Sequence, residues 1–211
     1  MKLNADFDAR AVVHAAKQLW VSSPTPGVER RMLFRIGDEK ARATSIVRYA
    51  KGSHFPAHGH PGGEEILVLD GVFQDESGDY PAGSYMRNPP GSGHRPGSEQ
   101  GCVIFVKLWQ FRRDDDATVA LRNADGTLFD NGHEQVRLET WEADQDIELT
   151  NPEGLELLVL DGSFSDATDI FARHSWLRLP GGTRLRVRAG AEGARVWRKS
   201  GLLQQENLCA F

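Results

Sequence analysis

Three histidines and one glutamate stand in two short patterns, Gly52-x5-His58-x-His60-x3-Glu64-x6-Gly71 and Gly83-x5-Pro89-x-Gly91-x2-His94. Residues two apart on a strand project to the same face, so His58 and His60 would present both imidazoles to one side. Glu64 follows the Pro61-Gly62-Gly63 turn and opens the next strand, from which its carboxylate can face the same interior. His94 comes after a Pro-Pro-Gly turn and arrives from a separate strand pair. Three neutral imidazoles and one carboxylate make a borderline-hard set for one divalent transition metal such as Zn, Fe, Mn, Ni or Co, with positions left for water or a ligand. His58, His60, Glu64 and His94 are therefore the candidate metal ligands, and no residue declares itself catalytic.

The remaining chemistry-bearing residues give weaker signals. His54 lies beside the pattern but outside it, while His14, His133 and His174 have no partners at useful spacing and read as structural. Two cysteines are too few for a disulfide framework or a thiolate site. Cys102 sits in an apolar run and reads as a core residue, and the role of Cys209 is open. Arg48, Arg87, Arg95 and Lys107 could bind an acid, but each reads first as a solvated strand residue. The alternating Arg184, Arg186 and Arg188 read as the wet face of a strand.

The elements that must position these side chains are strands, and they come in two copies. His60 to Asp75 aligns without gaps on Asn151 to Asp166, an offset of 91 residues, and the same offset sets Ser84 to Pro89 on Ser175 to Pro180. Each copy holds short Val, Ile, Leu and aromatic runs bounded by Gly, Pro, Asp and Ser, the signature of strands and hairpins. Ile46 to Tyr49, Glu65 to Leu69, Gly83 to Arg87 and Cys102 to Leu108 are the clearest strands. In the second copy the ligand positions become Leu149, Asn151, Leu155 and Leu185, side chains that would fill a barrel interior without a hydrated ion. Features shared by both copies, such as Asp70-Gly71 with Asp161-Gly162, then report architecture. Asn88, replaced by Leu179, becomes a candidate pocket residue, although it could equally initiate the turn before Pro89.

The boundaries read as an N-terminal segment 1–27, a first barrel 28–112, a connection 113–132, a second barrel 133–199 and a tail 200–211. The segment from Arg10 to Trp20 is ambiguous between a strand and a short helix. Glu64, Ile66 and Val68 should point inward, leaving Leu67 and Leu69 on the other face, with Leu158 and Leu160 repeating them. Strands apolar on both faces need cover on both, which suggests a homodimer or packed barrels.

Composition sets the class. The 211 residues are long enough to bury a core without disulfides, and 22 glycines against 10 prolines point to an all-β chain rich in turns. A net charge of -5 gives no basic surface for nucleic acid or an anionic membrane. No run of about 18 apolar residues and no signal-like start occur, so the sequence suggests a cytoplasmic protein.

Both metal-ligand patterns resemble cupin signatures, apart from Ser98, where the second signature often has Asn. His58-Gly-His-Pro-Gly-Gly-Glu64 leading into Ile66-Leu-Val-Leu-Asp-Gly71, with His94-Arg-Pro96, resembles the cupin-like domain of the ChrR anti-sigma factors. The resemblance implies an all-β fold of two tandem cupin jelly-roll barrels, the second degenerate. It further implies zinc on the three histidines and glutamate, and a sensory or regulatory role tied to oxidative stress, with a small molecule or regulatory protein as partner. ChrR-type proteins also have a helical sigma-binding module with its own zinc ligands. The first 30 residues here have no cysteine and little helical pattern, so sigma-factor sequestration is not carried over. Similar sites occur in cupin dioxygenases that cleave diketones or flavonols and, as a lesser alternative, in sugar isomerases, and fold alone does not choose among them.

Overall fold

A computed structural model of the chain describes all residues except 39, 202, 204–206 and 211, so part of the expected tail 200–211 lies outside the described residues. Two compact units form: Met1–Ala5, Leu19–Ala124 and Gln205–Phe211 in one, Asp6–Gln18 and Asp125–Gln204 in the other. Among the described residues nearly everything is strand, and the helical structure is a single 3-10 turn at Ala15–Lys17.

In the first unit the antiparallel order is Lys2–Leu3, Val28–Gly37, Ala41–Tyr49, Cys102–Leu108, Glu64–Asp75, Tyr85–Asn88 and Val119–Leu121. Ile66, Val68, Phe73, Tyr80, Met86, Cys102, Ile104 and Val106 fill the interior. Ile66 and Val68 thus point inward as their alternation requires. In the second unit the order is Gly126–Asp130, Glu134–Trp141, Leu185–Gly201, Gly154–Ser165, Ser175–Pro180 and Ala11–His14. Its core contains Leu155, Leu157, Val159, Phe164, Phe171, Leu177, Leu179, Leu185 and Val196, with Leu149 packed against it. Of the three leucines at the positions of candidate metal ligands, Leu155 and Leu185 are therefore core side chains and Leu149 packs against the core.

The internal repeat is kept to the residue. Tyr85, Met86, Arg87 and Asn88 pair with Leu67, Ile66, Glu65 and Glu64, and Trp176, Leu177, Arg178 and Leu179 pair with Leu158, Leu157, Glu156 and Leu155. The segment from Arg10 to Trp20 contains both: Ala11–His14 adds a strand beside Ser175–Pro180, Ala15–Lys17 is the 3-10 turn, and Arg10 reaches Asp166 and Asp169 at 2.8 Å.

Two expectations need correction. Arg87 and Lys107 are not solvated, with 0% and 1% of their surface exposed. Arg87 pairs with Asp115, lies over the Phe111 ring, and faces Glu65, which in turn accepts from Tyr85 Oη at 2.9 Å. Lys107 donates to Thr44 Oγ1 at 3.3 Å. A strand flanked on both sides leaves no wet face, so charges there must be partnered. Arg48 is part-exposed against Glu29, and Arg95 is exposed, as anticipated. Of the stripe that called for cover on both faces, Leu67 and Leu158 are buried and Leu69 and Leu160 are partly buried. Arg184, Arg186 and Arg188 do form a wet face, paired with Glu148, Asp144 and Asp146.

Candidate metal centre

The histidines are positioned by a small ladder of their own. His58–His60 pairs with Ser92–His94 so that His94 lies opposite His58 and Ser92 opposite His60. Cross-strand partners share a face, and so do residues two apart, which puts all three imidazoles on one side. Their ring centroids are 5.2, 5.2 and 4.6 Å apart. One nitrogen from each can be chosen so that all lie within 4.8 Å of one another, with His60 and His94 buried and His58 exposed.

Glu64, buried at the start of Glu64–Asp75, brings its Oε2 to 3.3 Å from His60 Nε2 and 3.5 Å from His94 Nε2. Asn88 stands opposite Glu64 in the ladder and donates to the same oxygen at 3.3 Å. The candidate pocket residue therefore touches a candidate ligand. The turn that delivers Glu64 depends on two glycines: a Cβ on Gly62 would fall 2.2 Å from the Trp109 ring, and one on Gly63 would fall 2.4 Å from Phe111.

Each imidazole is held from behind. His58 Nδ1 lies 3.2 Å from the Pro56 carbonyl oxygen, His60 Nδ1 3.3 Å from Ser92 Oγ, and His94 Nδ1 3.5 Å from Asp75 Oδ2. A carbonyl or a carboxylate only accepts, so His58 and His94 carry their proton on Nδ1 and turn the Nε2 lone pair inward. His60 Nε2 is buried and has no hydrogen-bond partner. An orphaned imidazole nitrogen facing a carboxylate is what a metal would satisfy, and this donor set fits a divalent ion.

Electrostatics agree with neutral imidazoles. Burial, reinforced by His94 and then His58, lowers His60 to about 4. His94 is also lowered, first by burial and then by His58, against the opposing pull of Asp75. Glu64 is raised to about 7, chiefly by burial, with the Asn88 hydrogen bond opposing and the Asp75 charge adding. A cavity of about 310 Å3 opens beside the site, lined by His58, His60, Glu64, Arg30, Arg35, Tyr49 and the apolar Val47, Ile104, Val106, Leu108 and Trp109.

His54 does not join the cluster: it is exposed and lies 2.8 Å from Glu99. His14 meets Ser175 Oγ at 3.0 Å, and His174 occupies a left-handed turn with φ +64°. Cys102 is buried, with its thiol raised to about 11 mainly by burial, and Cys209 is buried as well. Ser98 donates to the Val72 carbonyl at 2.6 Å, an architectural contact. Asp75 and Ser92 were not singled out by sequence. Asp75 aligns with Asp166 under the repeat, and so looked architectural.

A family model for the ChrR Cupin-like domain matches residues 8–112. No curated protein matches the chain. Among solved structures, a proposed dioxygenase of Nostoc punctiforme is similar at 15% identity and TM-score 0.72, covering 97% of this chain and 87% of its own. The bacterial pirin YhhW of Escherichia coli, solved with nickel(II), is similar at 12% identity and TM-score 0.69, covering 92% of this chain and 100% of its own. A cupin 2 conserved barrel protein of Leptotrichia buccalis has 10% identity and TM-score 0.56, covering 86% and 92%. At these identities the likeness is one of fold. The chain is a two-barrel protein of cupin fold, and its residues 8–112 match the model of the ChrR cupin-like domain family.

Proposed function

We propose that the first barrel holds one divalent transition metal on His58, His60, Glu64 and His94 and acts as a metal-dependent regulatory or sensory cupin. The observation that carries this reading is the orphaned, buried His60 Nε2 facing the Glu64 carboxylate, with every imidazole fixed from its Nδ1 side. Zinc is the metal that the resemblance to the ChrR cupin-like domain implies, and the nickel(II) held by the pirin neighbour supports a divalent ion of this kind. In the second barrel Leu155 and Leu185 lie in the core and Leu149 packs against it, at the positions that correspond to Glu64, His94 and His58.

A bound divalent ion would supply a Lewis-acid centre to a ligand in the adjoining cavity. The chain's own residues then divide the work. Pro56, Ser92 and Asp75 orient the imidazoles, Asn88 orients the Glu64 carboxylate, and the apolar wall restricts water. Room for a small molecule beside the three histidines also favours a second reading, a metal-dependent dioxygenase, and the Nostoc neighbour supports it at the level of fold.

Metal analysis of protein purified without added metal separates the two, because zinc has no redox chemistry and iron does. Zinc-loaded and iron-loaded protein should then be compared for oxygen uptake with diketones and flavonols. No uptake by either, with metal-dependent binding of a ligand or partner, is the expected result. Uptake by the iron form alone, lost in His94→Ala, would transfer the conclusion to the dioxygenase.

A further inference from the structure

The cavity beside the histidines is lined by two arginines that the metal ligands do not explain. Arg30 and Arg35 both lie on Val28–Gly37. Five residues apart, they would face opposite sides of a regular strand. The pairing with Ala41–Tyr49 slips between Met32 and Phe34, so Arg30 sits opposite Val47 and Arg35 opposite Ala43. Val47 and Ala43 both line the cavity, and the bulge returns Arg35 to the Arg30 side.

Two cations on one wall repel each other and lose water. Arg35 is buried, donates to the Asp38 carbonyl, and is lowered by burial first and by the Arg30 charge second. Arg30 Nε is buried without a hydrogen-bond partner. The nearby Asp38 side chain is exposed and occupied by the Met1 amino group at 2.7 Å. Glu64 is the acid lining the same cavity, and it belongs to the histidine cluster. With a divalent ion, one carboxylate and two guanidinium groups, the cavity carries a net positive charge. Its remaining wall, including Val47, Ile104, Val106 and Trp109, is apolar.

We propose that this cavity binds a small organic acid with an apolar body, its carboxylate held by Arg30 and Arg35. The assignment rests on reading the first barrel as a ligand-binding metal centre and names the ligand class for it. Arginine forks match carboxylates in plane, and a charge-assisted hydrogen bond in a desolvated site is stronger than a neutral one. A volume of about 310 Å3 limits the ligand to a small molecule.

The test is calorimetric titration of zinc-loaded and chelator-treated protein with phenylacetate, phenylacetamide and inorganic phosphate. Phenylacetate should bind at least about tenfold more tightly than its neutral amide, and Arg30→Gln should weaken it by roughly tenfold to a hundredfold. Arg35→Gln should do the same if it melts like the parent; because Arg35 is buried, Arg35→Lys provides a charge-retaining variant that should keep part of the affinity. Zinc content should be unchanged in all three variants. Equal affinity for acid and amide, no binding of either, binding of phosphate alone, or parental affinity in a folded Arg30→Gln would each overturn the proposal. Arginine-dependent acid binding in protein that takes up no metal would leave this assignment standing and remove the metal reading.

Discussion

Within the first barrel His60 and Glu64 lie 3.3 Å apart, and burial pushes each towards its neutral form. With its value lowered to about 4, His60 takes up fewer protons folded than unfolded, so its contribution to stability is present above about 6.5 and lost as pH falls through 4. Glu64, raised to about 7, does the reverse: its contribution is present below about 4.5 and lost as pH rises through 7. The metal-free barrel therefore carries a costly bare carboxylate at pH 8, and a divalent ion removes that cost. The rise in melting temperature on adding zinc should be larger at pH 8 than at pH 5; an equal rise would show that Glu64 is not a ligand. A related expectation concerns Asp75, which faces His94 Nδ1 at 3.5 Å. Asp75→Asn should weaken metal affinity by about tenfold to a hundredfold with the fold retained, read by competition with a chelator. The four candidate ligands were legible because His58 and His60 have the spacing of a strand face, while Glu64 and His94 each follow a Gly- and Pro-bearing turn. Asp75 was not, because its counterpart Asp166 performs a different task, binding Arg10 and the backbone of Thr168 and Asp169. Subtracting one copy from the other hides a residue that both copies retain for different reasons.

At the scale of the strand, Glu64–Asp75 and Gly154–Ser165 make the same close approach. Gly71 and Gly162 have φ of +69° and +65°, and a Cβ on either would fall 2.1 or 2.2 Å from the carbonyl oxygen of Gly101 or Gly193. Both lie next to register slips in the ladder. The shared Asp-Gly pair is thus an architectural device, as the repeat indicated. Gly71→Ala and Gly162→Ala should each destabilise the protein by at least about 1–3 kcal/mol from the backbone conformation alone, before the clash is counted. Chemical denaturation measures this, and an unchanged midpoint would deny the glycines that role. Hydrophobic alternation made the inner strands readable, and Cys102–Leu108 has the bounds expected of it. Alternation fails where a strand bulges or is covered twice. The slip at Met32 to Phe34 re-aims Arg35, and Arg87 and Lys107 are buried on a face that their charge suggested was wet.

For the whole chain the repeat predicts an imbalance that can be counted. The two copies share register across Glu64–Asp75 with Tyr85–Asn88 and Gly154–Ser165 with Ser175–Pro180, so corresponding positions occupy corresponding places. At those places one copy has His58, His60, Glu64 and His94, and the other has Leu149, Asn151, Leu155 and Leu185. Asn151 spends its amide on the Pro180 carbonyl at 2.8 Å and Thr183 Oγ1 at 3.0 Å, so it holds a turn together. Purified protein should therefore carry about one transition metal per chain, measured by elemental analysis against protein concentration. His60→Ala and Glu64→Ala should each remove most of it. Because the interior around Ile66, Val68, Ile104 and Val106 is apolar and independent of the ligands, both variants should keep the β-sheet circular-dichroism spectrum of the parent and a cooperative melt. Two equivalents of metal per chain would sink the reading of the second copy. Complete unfolding of both variants would instead make the ion a structural staple, and the regulatory and dioxygenase readings would both weaken with it.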